Sequence, residues 1–109
     1  AFDRAGAIKT NERLALSEKA KATGHIYDVM MIKLPKPAEG VSVEQQLTEF
    51  ADQKREELNA ELFLLMDVRS QKCVISGNPP EGLTSEVQKM WKKKNIFDAA
   101  VLYYDKLKS

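Results

Sequence analysis

The stretch Ala60-Glu61-Leu62-Phe63-Leu64-Leu65-Met66 decides the fold. From Leu62 to Met66 every residue is apolar, so a strand here is apolar on both faces. Such strands belong to sheets covered by helices above and below. Upstream, Ile26 to Leu34 (Ile-Tyr-Asp-Val-Met-Met-Ile-Lys-Leu) is almost as apolar, bounded by Gly24 and by Pro35 and Pro37. Its length and its Ile, Val and Tyr content predict a second buried strand.

Between the two strands, Ser42-Val43-Glu44-Gln45 fits a capping box. The helix it opens carries Val43, Leu47, Phe50, Ala51 and Leu58 on one face. Its other face is charged, with Glu44, Glu49, Asp52, Glu56 and Glu57 beside Lys54 and Arg55, and reads as solvated. Strand, helix and strand in this order predict parallel neighbours joined by a right-handed crossover. Downstream, polar Asp67–Gln71 and a shorter strand over Lys72–Ser76 make a hairpin. Pro79-Pro80 breaks the chain before two helices, one with Leu83, Val87, Met90 and Trp91 inward, the other with Ile96, Phe97, Ala100, Val101, Tyr104 and Leu107. At the start, Asp3–Ile8 reads as a lead-in segment, followed by a helix capped by Thr10 or Asn11 and running to about Ala22. The fold class is α/β, a three-layer α/β/α sandwich around a small mixed sheet, in one domain over residues 1–109.

Composition narrows the function classes. Seventeen basic and 16 acidic side chains give a net charge of +1, which lacks the basic excess of nucleic-acid binders. No apolar run approaches the roughly 20 residues that span a bilayer. One cysteine, Cys73, forbids a disulfide within the chain, and one histidine, His25, excludes a His-rich metal cage. The opening Ala1-Phe2-Asp3, without an initiator methionine, reads as that of a processed or excised chain.

In open α/β sheets ligands bind beyond the carboxyl ends of the parallel strands. Asp67 stands at such an end, either as an acid for chemistry or as the aspartate that starts a hairpin. Asp3 can join it to offer oxygens to calcium. Asp28 reaches an edge or marks an exposed end of its strand. His25 and Cys73 read as structural, one on the surface and one as a buried thiol. Arg69 offers a charge to phosphate or to solvent. Trp91-Lys92-Lys93-Lys94 is either a dipole-matched helix end or a contact for anionic lipid or an acidic partner. No glycine-rich phosphate loop, nucleophile elbow or zinc motif is present, so no catalytic residue is assigned.

The order of segments resembles a known family. Asp3-Arg4-Ala5-Gly6-Ala7-Ile8 is similar to an opening Asp-x-Ala-Gly-x-Leu, and Thr23-Gly24 before Ile26–Ile32 to its Thr-Gly and Val-rich first core strand. Ser42-Val43-Glu44, Leu62–Met66 with Arg69, and the paired C-terminal helices follow in the same order. The family is the TPM domain, or TPM phosphatase domain, of thylakoid-lumen and bacterial envelope proteins. The resemblance implies an α/β/α sandwich, an extracytoplasmic location beside a membrane, and links to acid phosphatase activity, calcium binding and accessory roles in membrane complexes. Many members carry Asp-Asn just before the second core strand. Here Leu58-Asn59-Ala60 supplies a carboxamide where the resemblance calls for a carboxylate. The metal candidates are then Asp3, Asn59 and Asp67, with calcium as the cation. The leading expectation is a non-catalytic accessory domain, monomeric, with a protein partner in or near a membrane and no nucleic acid. The alternative is a phosphatase or calcium-binding domain.

Overall fold

The computed structural model describes residues 1–108. In chain order the elements are β1 (Phe2–Asp3), α1 (Thr10–Ala22), β2 (Tyr27–Ile32), α2 (Val43–Leu58), β3 (Leu62–Asp67), β4 (Lys72–Gly77), α3 (Leu83–Lys93) and α4 (Ile96–Leu107). The strands form one sheet in the order β1-β2-β3-β4, with β1, β2 and β3 parallel and β4 antiparallel to β3. The mixed central sheet and its parallel β2–β3 pair are as the sequence predicts. All six residues of β3 are buried, as a central strand with helices on both faces requires.

Alternation along the strands sorts the core into two layers. Val29, Met31, Leu62, Leu64 and Met66 pack with Leu16 of α1, Leu83 and Val87 of α3, and Ala99, Ala100, Tyr103 and Tyr104 of α4. Met30, Phe63 and Leu65 turn the other way onto Leu47 and Ala51 of α2. Three helices therefore cover one face and α2 alone covers the other. The α4 face is wider than the periodicity predicts because α4 lies between α1 and α3, which buries Ala99 and Tyr103 as well.

Three expectations need correction. Phe2 and Asp3 are β1 rather than part of a lead-in: they pair with Met30 and Met31, and two residues are too few to show a period. The cap of α1 is Lys9 rather than Thr10 or Asn11: Lys9 N–H donates to Glu12 Oε1 at 2.9 Å, the only half of a capping box a lysine can make. In α2 the Ser42 hydroxyl accepts from Gln45 N–H at 3.0 Å, but the Gln45 side chain turns to Glu49 instead of closing the box. The two βαβ connections also cannot share one hand. Both step the same way across the sheet while α1 and α2 lie on opposite faces, so the usual right-handed rule holds for one of them.

Candidate functional site

The carboxyl ends of β1, β2 and β3 lie at one end of the sheet, with the starts of α1, α2 and α4. Asp67 is fully buried there. Its Oδ1 accepts from Leu34 N–H at 2.9 Å, and its Oδ2 accepts from the Ser70 N–H at 3.2 Å and the Ser70 hydroxyl at 2.6 Å. Arg69 stands 4.0 Å away and donates through Nε to the Leu34 carbonyl at 3.1 Å. The aspartate thus starts the hairpin and ties down the chain leaving β2. Its oxygens face backbone and Ser70, and none faces solvent.

Asp3 is arranged in the same way. Its two carboxylate oxygens accept from Ala7 N–H at 2.9 Å and Ile8 N–H at 3.0 Å, shaping the turn into α1. It is level with Met31, on the sheet face of α1, whereas Asp67 is level with Ile32, on the face of α2. Two strand spacings, roughly 10 Å, and the thickness of the sheet separate them. Asn59 is farther still. It caps α2 in the left-handed region, with φ 51°, and its N–H bonds the Glu56 carbonyl at 3.1 Å. It sits before β3 and Asp67 ends β3, so they are at least roughly 17 Å apart at 3.3 Å per strand residue. The expected meeting of Asp3, Asn59 and Asp67 at one crevice is therefore corrected. Among the described residues, no three His, Cys, Asp or Glu side chains form a group able to hold a metal ion. The residues present do not fit a shared calcium.

The other singled-out residues have structural partners. His25 Nδ1 lies 3.1 Å from both carboxylate oxygens of Glu61, and its ring stacks on Tyr27 at 5.0 Å. Glu61 also accepts Ile26 N–H at 3.0 Å. That backbone bond, then His25, holds the Glu61 carboxyl below its usual range. This pair is at the amino end of the sheet, away from Asp67. Cys73 is buried, and burial pushes its thiol up to about 12. Asp28 is half-buried, and desolvation raises its carboxyl above the usual value.

One polar cluster joins α2 to β4 and leaves no local signature in the sequence. Arg55 Nε donates to the Ser76 hydroxyl at 2.9 Å, and that hydroxyl donates to Asp52 Oδ1 at 2.5 Å. Helical spacing places Asp52 and Arg55 on the charged face of α2, whereas the structure turns both toward β4. The nearest signal is strand alternation, which puts Ser76 on the α2 side of β4. Ser76 has no histidine within hydrogen-bond reach and its hydroxyl bonds an acid and an arginine, so the cluster pins α2 to β4 rather than building a nucleophile.

The fold and the site define a three-layer α/β/α domain whose carboxyl-end acids are bound to its own backbone. No family model matches the chain, and no curated protein matches it significantly. Among the described residues, no helix is long and apolar enough to cross a membrane.

Proposed function

We propose that the chain is a non-catalytic accessory domain of the TPM kind, extracytoplasmic, that binds a protein partner in or near a membrane. The observation that carries the non-catalytic part of this reading is Asp67: a fully buried carboxylate whose oxygens already accept three hydrogen bonds from Leu34 and Ser70. Phosphate-ester hydrolysis needs charge neutralisation on the transferring group, from a metal or clustered arginines. Of Arg4, Arg13, Arg55 and Arg69, two direct their guanidinium groups to the protein itself, Arg55 to Ser76 and Arg69 to the Leu34 carbonyl. The resemblance implies an α/β/α sandwich, and the chain has helices on both faces of its sheet.

The test is an assay of the purified chain on a model aryl phosphate from acidic to neutral pH, with and without calcium or magnesium. Turnover indistinguishable from buffer is expected. Robust turnover that disappears in Asp67→Asn would replace this reading with the phosphatase.

A further inference from the structure

The net charge of +1 hides an uneven distribution. The carboxyl end of the sheet holds a cleft of about 490 Å³ between the β3–β4 turn and the α3–α4 junction. Val68 and Gln71 form one wall; Trp91, Lys92, Lys94 and Ile96 form the other. Exposed Lys93 lies between Lys92 and Lys94 in the chain. Among the described residues, no carboxylate lies within ion-pair distance of Lys92, Lys93 or Lys94. Asp67 is buried, and Asp98 stands in the first turn of α4.

The C-terminal dipole of α3 favours cations in its last turn, but it amounts to about half a charge. Three consecutive lysines exceed it. Between them lies apolar surface, with Trp91 and Ile96 half-buried. Building on the reading of the chain as a binding domain, we infer that this cleft docks an acidic protein segment carrying one apolar anchor residue. Lys92 and Lys94 meet its carboxylates, and Trp91 and Ile96 receive the anchor. Charge complementarity of this kind steers a partner and rejects those of the wrong sign. The concave shape, with the lysines on its walls, suits a chain segment better than the flat surface of a bilayer.

Trp91 is the only tryptophan, so its fluorescence reads the cleft directly. The probe is a short synthetic peptide of glutamate and aspartate with one central leucine, titrated into the whole chain. Binding should shift Trp91 emission and weaken as salt rises. The double variant Lys92→Glu/Lys94→Glu should bind about tenfold more weakly or worse, with unfolding midpoint retained. Lys92→Gln/Lys94→Gln, which carries no reversed charge, should weaken binding less and serves if the first variant unfolds. Lys21→Glu, at the far end of α1, should change nothing. No response to the peptide, or lysine variants that respond as strongly as the unchanged chain, overturns the inference. A response to phosphatidylserine vesicles without one to the peptide overturns it in favour of a bilayer. A silent titration together with absent phosphatase turnover sinks this cleft and leaves the accessory-domain reading standing; peptide binding together with turnover does the reverse.

Discussion

Asp67 Oδ1 accepts the backbone N–H of Leu34 at 2.9 Å, so a carboxylate ending β3 fixes the chain that leaves β2. With Ser70 on its other oxygen, one buried side chain joins the parallel pair to the hairpin. Asp67→Ala removes three charge-assisted bonds and leaves the Leu34 N–H without its partner. The expected loss is about 3 kcal/mol or more, since one unsatisfied buried donor alone costs roughly 1–3 kcal/mol. Chemical denaturation measures it; a loss under about 1 kcal/mol would show that water replaces the carboxylate freely.

Tyr104 is the second tie. Its hydroxyl donates to the Tyr27 carbonyl at 2.7 Å, while β1 covers β2 only opposite Met30 and Met31. The hydroxyl thus satisfies a carbonyl the short edge strand does not reach. Tyr104→Phe should cost about 1 kcal/mol. Tyr103, whose hydroxyl reaches the Asp28 carbonyl at 3.2 Å, should cost less on the same change. Equal losses would argue that general packing, rather than the edge, sets both values.

These ties show where sequence reasoning reaches and where it stops. Apolar periodicity identified β2, β3, α2 and the helical pair, because burial on one or both faces writes directly into residue spacing. β1 left no such trace, since its pairing rests on two residues and on β2 being there to receive them. Asp67 was legible as a hairpin start, but the Leu34 bond joins residues 33 apart in sequence and no local pattern announces it. The separation of Asp3, Asn59 and Asp67 depends on register and on strand faces, which spacing alone leaves open.

Three buried groups set an alkaline limit. Burial pushes the Cys73 thiol from 9.0 up to about 12 and raises the Tyr103 and Tyr104 hydroxyls above their ordinary value of 10.0. Each is kept neutral in the fold and ionises more readily in the unfolded chain. Their contribution is complete below pH 9.0 and declines as pH rises from there toward about 12. Unfolding free energy measured across that range should fall, and Cys73→Ala should remove the part beginning near pH 9.0. Cys73 should also resist iodoacetamide at neutral pH until the chain unfolds. Rapid alkylation of the native protein would contradict the buried placement.

Gly77 is required where β4 ends. Its φ is +113°, and a Cβ there would lie 2.5 Å from the Glu61 carbonyl oxygen and 2.9 Å from Leu62 Cδ2. The oxygen belongs to backbone at the start of β3, so it cannot swing aside. Gly77→Ala should destabilise by about 2–4 kcal/mol, combining overpacking with backbone strain. Gly40, also at positive φ but with open space around its Cβ position, provides the comparison: alanine there should cost less. Similar losses at both sites would mean that the Glu61 contact adds nothing.

Calcium should leave this domain unmoved. Calcium takes 6–8 oxygen ligands, and its affinity follows the number of charged ones a site can gather. Asp3 and Asp67 lie on opposite faces of the sheet, each already bonded to N–H groups, and Asn59 is at the other end of β3. A cation at either aspartate would have to displace those donors, undoing the turn into α1 or the hairpin. If calcium bound the folded chain at a tenth of its applied concentration, it would add about 1.4 kcal/mol of stability. For a domain of this size that raises the unfolding midpoint by roughly 6 °C. Thermal unfolding in millimolar calcium is therefore expected to match unfolding in chelator to within about 1 °C. A rise of several degrees that vanishes in Asp3→Asn would place a cation at the start of α1; one that vanishes in Asp67→Asn would place it at the hairpin. Either result would restore the calcium-binding alternative and show that the backbone bonds to that aspartate yield to metal.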